Sequence, residues 1–125
     1  MEEAKTIRTA FEKKIEERYG ALPEYPWARF PRYAVFRHAE NRKWFAVTMT
    51  VPKEKLNLGG KEPIDIVNLK CPEEVLDTLW QTKGIFPAYH MQKGQWISVI
   101  LDGSVDYDTL LWLLALSFSA TGKKR

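Results

Sequence analysis

The sequence is poor in residues that form disulfides or hold metal ions. It has one cysteine, Cys71, and two histidines, His38 and His90, among 125 residues. A single cysteine excludes an intramolecular disulfide, and these three residues lack the paired spacing of a structural zinc site. We therefore expect no metal ion, and the cysteine content is typical of a protein of the reducing cytoplasm.

Long apolar runs are also missing. The longest run, Leu110–Leu116, is far shorter than the roughly 20 residues that a membrane-spanning helix needs. The first residues, MEEAKTIRTAFEKK, are charged and contain no apolar signal core. The sequence predicts a soluble, cytoplasmic protein with no membrane partner.

Patterns that carry catalysis are absent as well. The glycine pair in NLGGKEP does not fit the phosphate-binding pattern GxxxxGK[ST]. No serine or carboxylate arrangement indicates hydrolysis, and Cys71 has no base at motif spacing, so we expect it to be a buried structural cysteine. The sequence therefore predicts no enzyme activity and no cofactor.

Positive charge is concentrated in one part of the chain. The net charge is +3, but residues 27–55 carry seven basic side chains against two acidic ones, an excess of five. A local basic stretch of this kind is a mild indication of an anionic partner such as nucleic acid.

Hydrophobic periodicity indicates a single α+β domain over residues 1–125. Ile7, Phe11 and Ile15 recur every four residues, as on the buried face of a helix, and strand-like alternation begins after a proline-rich crossing segment. The predicted elements are helix 3–19, strands 32–38, 43–51 and 64–70, helix 71–83, strands 87–92 and 95–101, and helix 106–120. Short connections between consecutive strands favour an antiparallel sheet of about five strands in the order αβββαββα.

Two more specific expectations concern the strands. Regular alternation along residues 43–51 places Phe45, Val47, Met49 and Val51 on one face and Trp44, Ala46, Thr48 and Thr50 on the other. Residues 53–63 are expected to form a mobile turn, and Trp96 is expected to be largely buried.

Three sequence blocks resemble a known family. The segments PWARFPRYAVFRHAENRKWFAV, NLKCPEEV and PAYHMQKGQWISVILD occur in this order, and together they resemble the MmcQ/YjbR family over nearly the whole chain. The resemblance implies a fold similar to type III secretion chaperones, and it implies DNA binding through hairpin wings.

Three function classes follow from the charge and the resemblance. The first is weak, largely sequence-independent DNA binding through a basic hairpin surface with Arg32, Arg37, Arg42, Lys43, Lys53 and Lys93. The second is a chaperone-like module that holds a peptide. The third is a small anionic ligand bound at a polar patch with tryptophan walls, formed by Arg37, Trp44, Lys70, His90, Lys93 and Trp96. We expect a monomer in each case.

Overall fold

The computed structural model describes residues 6–79, 81–88 and 95–122. Within these residues the order of elements is helix, three strands, helix, two strands and helix, as the sequence predicted. The elements are α1 (Ile7–Tyr19), β1 (Ala34–Arg37), β2 (Trp44–Pro52), a 3₁₀ helix (Lys53–Leu56), β3 (Pro63–Lys70), α2 (Glu73–Leu79), β4 (Ile85–Pro87), β5 (Trp96–Ile100) and α3 (Tyr107–Thr121). None of the helices in these ranges is both long and apolar enough to span a membrane.

The described strands form one antiparallel sheet in the order β1-β2-β3-β5-β4. Polar side chains and a glycine fix the ends of the long helices. Thr6 accepts a hydrogen bond from the Thr9 backbone N–H at the start of α1, and Gly20 ends that helix at a φ of 66°. Asp106 caps α3 by accepting from the Asp108 backbone N–H.

The sheet separates two apolar layers. Side chains of α1 and α3 pack on one face, where the main core includes Phe11, Phe36, Leu69 and Leu114. The opposite face, which we call the open face, carries a smaller cluster of apolar side chains. This cluster is formed by Val35, Val47, Met49, Val51, Leu56, Ile66 and Ile100, with Trp27, Tyr33, Trp44, Ile64 and Phe86 at its margin.

The expected assignment of faces is wrong at the start of β2, because the strand contains a β-bulge there. Phe36 pairs with Ala46 and Arg37 with Trp44, so Phe45 is an extra residue with no partner on β1. Phe45 and Ala46 both join the core under the helices, whereas Trp44 and Val47 belong to the open face. Phe45 therefore does not share a face with Val47, because the alternation is interrupted by one residue.

A hydroxyl from α3 replaces the ladder hydrogen bond beside this bulge. Ser117 is fully buried, and its Oγ donates to the Phe45 carbonyl oxygen at 2.6 Å and accepts from the Lys70 backbone N–H at 2.9 Å. The bulged part of β2 is thus connected to β3 through the helix, and the Phe45 carbonyl and the Lys70 N–H are both paired.

Other expectations need smaller corrections. The second helix ends at Leu79 rather than at residue 83, and residues 81–83 form a turn. The supposed mobile turn begins with the 3₁₀ helix Lys53–Leu56, which buries Leu56. β4 begins two residues earlier than predicted and ends at Pro87, so Ala88 is not part of the strand. The remaining predicted strand positions, 89–92, lie outside the described residues. Trp96 is half-buried, not part of the core.

Candidate binding site on the open face of the sheet

The segment before β1 places aromatic side chains over the open face. Its prolines prevent a regular helix, and a backbone bridge between Glu24 and Val35 fixes it beside β1. Two successive turns follow, in which the Phe30 N–H bonds to the Trp27 carbonyl and the Tyr33 N–H bonds to the Phe30 carbonyl. This three-residue spacing directs Trp27, Phe30 and Tyr33 into one aromatic group.

The aromatic rings are arranged edge to face and in stacks. Trp27 meets Trp44 with ring centroids 5.6 Å apart and an interplanar angle of 88°, and it meets Tyr33 at 6.0 Å and 79°. Phe30 stacks on Tyr33 with centroids 4.7 Å apart. Both geometries are favourable for aromatic pairs, so they hold the rings in defined orientations.

These rings enclose a pocket of about 300 Å³. Its walls are Trp27, Phe30, Tyr33 and Trp44, and its floor consists of Val47, Met49 and Asn68. The volume lies at the lower end of the range of small-molecule sites, and such sites are usually apolar with a few polar groups. The pocket therefore has the size and lining of a site for a small ligand.

The floor contains one buried polar side chain. Asn68 is fully buried, and its Oδ1 accepts a hydrogen bond from Ser98 Oγ across the β3–β5 pair. This hydrogen bond fixes the position of a polar group at the bottom of an otherwise apolar pocket.

Arg37 lies at the edge of the pocket. Its guanidinium carbon is 5.7 Å from the centroid of the Trp44 ring, a cation–π distance. Its Nε donates to Glu24 Oε1 at 2.9 Å, and Arg42 Nη2 lies 3.3 Å from Glu24 Oε2. The hydrogen bond from Arg37 is the main reason that the pKa of Glu24 is lowered. Desolvation opposes this effect, whereas the charges of Arg37 and Arg42 and the hydrogen bond from Arg42 add to it. Glu24 is therefore a carboxylate at neutral pH.

Four of the six residues of the predicted polar patch share one end of the open face. Arg37 is the cross-strand partner of Trp44, and Lys70 is the partner of Trp96. Asn68 faces the pocket, so alternation along β3 places Lys70 on the same face. His90 and Lys93 lie outside the described residues.

The described residues among those predicted to bind nucleic acid lie at both ends of β2 rather than at one end. Arg42 and Lys43 are exposed at the β1–β2 hairpin, beside Arg37. Lys53 follows the other end of β2, and this strand of nine residues spans about 27 Å. Arg32 donates to Thr50 Oγ1, near the Lys53 end, and Lys93 lies outside the described residues.

The hairpin turn is fixed by several hydrogen bonds. The His38 N–H donates to the Lys43 carbonyl at 2.9 Å, and the Lys43 N–H donates to Asn41 Oδ1 at 2.8 Å. Asn41 Nδ2 donates to the Thr121 carbonyl, and His38 Nε2 lies 2.8 Å from Thr121 Oγ1, so the turn is attached to the end of α3. Arg42 has a φ of 63°, which is uncommon for a residue with a side chain.

Comparisons with known proteins agree with this architecture. The family model described as YjbR matches residues 17–120. The chain belongs to the YjbR family. It is 44% identical over 109 residues to an uncharacterized Bacillus subtilis (strain 168) protein, YyaQ, a match that covers 87% of this chain and 92% of that protein.

Solved structures of similar chains have the same fold. A Pseudomonas syringae protein is 39% identical in its crystal structure, with a TM-score of 0.89 and coverage of 92% of this chain and 98% of that one. A solution NMR structure from Pseudomonas syringae is 38% identical, with a TM-score of 0.84 and 94% coverage of both chains. A Deinococcus radiodurans protein, 24% identical with a TM-score of 0.68 over 95% of this chain and 80% of that one, shares the fold.

The thiol of Cys71 in this YjbR chain lies in surroundings that do not activate it. Cys71 is buried, and burial, with a smaller effect of Glu74, raises the pKa of its thiol to about 11. A thiol with this pKa is almost fully protonated at neutral pH and is a poor nucleophile. No group of three or more potential metal ligands occurs among the described residues.

Sequence reasoning missed a buried charged cluster under α1. Arg8 is only 9% exposed, and it bonds to Glu12, Asp65, Thr48 and Thr50. Its Nη2 also donates to the Arg32 carbonyl oxygen, which attaches the crossing segment to α1. The available signal was its spacing, since Arg8 precedes Phe11 by three residues and so falls on the buried face of the helix.

The aromatic pocket was missed for a similar reason. Trp27, Phe30 and Tyr33 recur every three residues, and this regular spacing in a segment that cannot be helical was the signal. Of the four pocket walls, only Trp44 was among the predicted site residues.

Proposed function

We propose that the protein binds nucleic acid with little sequence preference, and that the β1–β2 hairpin makes the phosphate contacts. The observation that carries the proposal is the exposure of Arg42 and Lys43 on a turn whose backbone is fixed. The Arg42 side chain is 62% exposed. Basic side chains on a projecting, ordered turn can reach phosphate oxygens without large loss of conformational freedom.

The conformation of Arg42 supports a role for this turn. A non-glycine residue at a positive φ carries a backbone strain of about 1–3 kcal/mol, and such strain is enriched at functional sites. Here the strain is maintained by the bonds of His38 and Asn41 to Lys43 and Thr121. These bonds keep Arg42 exposed instead of allowing the turn to relax.

The sequence supplies further positive charge near the end of α3. Gly122, the last described residue, lies close to the His38 ring, since a Cβ on it would be 3.6 Å from His38 Cε1. The sequence continues with Lys123, Lys124 and Arg125, which are outside the described residues. These three residues add to the positive charge of the chain, which favours association with a polyanion.

A salt titration tests the proposal. Binding of two unrelated DNA duplexes is measured by fluorescence anisotropy for the parent protein and for Arg42→Ala/Lys43→Ala. Each lost phosphate contact lowers the slope of log K against log salt by about 0.9, so the slope should flatten by up to about 2 on both duplexes.

Lys53→Ala/Lys55→Ala provides the matched control. It removes the same charge at the other end of β2, and its affinity and slope should stay close to those of the parent. Equal losses in the two double variants would contradict a hairpin site, because they would indicate an effect of net charge alone. Absence of binding by the parent at low salt would contradict nucleic-acid binding itself.

A further inference from the structure

The aromatic pocket exposes apolar surface that a ligand could cover. Its walls Trp27, Tyr33 and Trp44 are half-buried, and Phe30 is 45% exposed. Removing apolar surface from water is favourable by roughly 25 cal/mol per Å². The pocket is therefore a place where a bound molecule gains free energy from aromatic contact.

The shape of the pocket favours a flat molecule. Trp27 stands nearly perpendicular to both Trp44 and Tyr33, while Val47 and Met49 form an apolar floor. A ring that enters such a site can stack on one wall and meet another edge to face, the two geometries that aromatic groups prefer. The volume of about 300 Å³ limits the occupant to a molecule of one or two rings.

The charges around the pocket favour a negative substituent. Arg37 lies over the Trp44 wall, and Lys70 lies two residues beyond Asn68 on the same face of β3, about 7 Å along the strand. Glu24 is the acidic partner of Arg37, but the same carboxylate is also bonded to Arg42. Arg37 and Lys70 thus place two cationic groups near the pocket, and cationic groups bind carboxylates strongly.

From these observations we propose that the open-face pocket binds a small planar aromatic acid. Its ring would lie between Trp27, Tyr33 and Trp44, and its carboxylate would point toward Arg37 and Lys70. The Asn68–Ser98 pair would supply a fixed polar group at the floor. This site does not depend on nucleic-acid binding by the hairpin, and either activity can exist without the other.

The test uses naphthalene-2-carboxylate as the probe, with isothermal titration calorimetry on the full chain. Two related compounds separate the contributions: naphthalene-2-carboxamide keeps the rings without the charge, and cyclohexanecarboxylate keeps the charge without the planar ring. The aromatic acid should bind at least about tenfold more tightly than either compound. The carboxamide lacks the charge that Arg37 and Lys70 would bind, and cyclohexanecarboxylate lacks the flat ring that would stack on the pocket walls.

Matched variants locate the site. Trp27→Leu should weaken binding about tenfold or more, whereas Trp112→Leu, the same change on the exposed surface of α3, should leave it unchanged. Phe30→Ser provides a second pocket variant at an exposed position, and urea unfolding identifies any variant that does not fold. Arg37→Gln/Lys70→Gln should reduce binding of the acid about tenfold and leave the carboxamide unaffected.

Three results would overturn the proposal. The first is that the folded parent protein does not bind the acid at millimolar concentration. The second is that folded Trp27→Leu and Trp112→Leu bind the acid equally. The third is that the parent protein has equal affinity for the acid and the carboxamide. The DNA titration of Arg42→Ala/Lys43→Ala is independent of all three results.

Discussion

Arg37 Nε donates a hydrogen bond of 2.9 Å to Glu24 Oε1, and this bond connects the crossing segment to the last residue of β1. The second oxygen of Glu24 lies 3.3 Å from Arg42 Nη2 at the hairpin turn. One carboxylate therefore reduces the positive charge both at the edge of the pocket and at the hairpin.

Substitution of Glu24 should strengthen any phosphate contact made by the hairpin. Glu24→Gln keeps the size of the side chain but removes its charge, which leaves Arg37 and Arg42 without their anionic partner. We expect tighter binding to duplex DNA at low salt and a steeper dependence on salt, measured by anisotropy. Glu54→Gln makes the same change in net charge at the far end of β2. Equal effects of the two substitutions would show that position is unimportant.

The Arg8 cluster should contribute strongly to stability. Arg8→Ala leaves Glu12 and Asp65, which both bond to Arg8, without their buried cation. Loss of one member of a buried ion pair typically costs about 3–5 kcal/mol in the free energy of unfolding. Urea denaturation measures this cost. Lys14→Ala removes a cation of the same helix that lies 3.5 Å from Glu17 on the surface, and it should cost less than about 1 kcal/mol. A similar small cost for Arg8→Ala would show that the cluster is not important for stability.

Ser117 should contribute to the stability of the protein through its hydrogen bonds at the β2 bulge. Ser117→Ala removes the hydroxyl that bonds to the Phe45 carbonyl and the Lys70 N–H. Each buried backbone group left unpaired costs about 1–3 kcal/mol. Ser119→Ala, at an exposed position of the same helix, should change the free energy of unfolding by less than about 0.5 kcal/mol. If the two variants unfold at the same urea concentration, the hydroxyl bridge is energetically unimportant.

His38 should make stability depend on pH. Its ring lies against Phe45 and Phe118. Burial is the main reason that its pKa is lowered from 6.5; Glu40 and the Phe118 backbone oppose this effect, and Lys43 adds to it. The unfolded chain therefore binds the proton more readily than the folded one, so stability should fall as the pH decreases below about 6.5, until the lowered pKa is reached.

His38→Gln tests this dependence, since glutamine retains hydrogen-bonding groups but does not titrate. The free energy of unfolding is measured between pH 7 and pH 5 for both proteins. The decrease in the free energy of unfolding from pH 7 to pH 5 should be smaller in His38→Gln than in the parent protein. His90 is present in both proteins, so its contribution cancels. Parallel pH profiles would exclude His38 as the source.

Local patterns were sufficient for the order of elements but not for the path of β2. The four-residue spacing of Ile7, Phe11 and Ile15 and the alternation in β3 each lie within a short stretch of sequence. The helix and the strand can therefore be predicted directly from these patterns. The carbonyl of the bulged Phe45 is bonded to Ser117, a residue 72 positions away in the chain. Such a long-range contact has no signature in a short window of sequence.

The candidate site was predictable only in part, for the same physical reason. Strand pairing accounts for the common face of Arg37, Trp44, Lys70 and Trp96. The predicted polar patch also included His90 and Lys93, which lie outside the described residues. The pocket needs the Glu24–Val35 bridge to position Trp27 and Tyr33, and this tertiary contact is not a property of the local sequence. The dispersion of the basic residues was missed because proximity in sequence does not imply proximity along a strand of nine residues.

The extra residue in β2 also determines how this strand can vary in length. Phe45 and Ala46 face the same side, so deletion of Ala46 would leave Trp44 on the open face and Phe45 on the helical face, with Phe45 in a position to pair with Phe36. Deletion of Thr48, by contrast, would move the side chain of every preceding residue of the strand to the opposite face of the sheet. The bulge is therefore the point in β2 where the loss of one residue would keep both surfaces of the sheet.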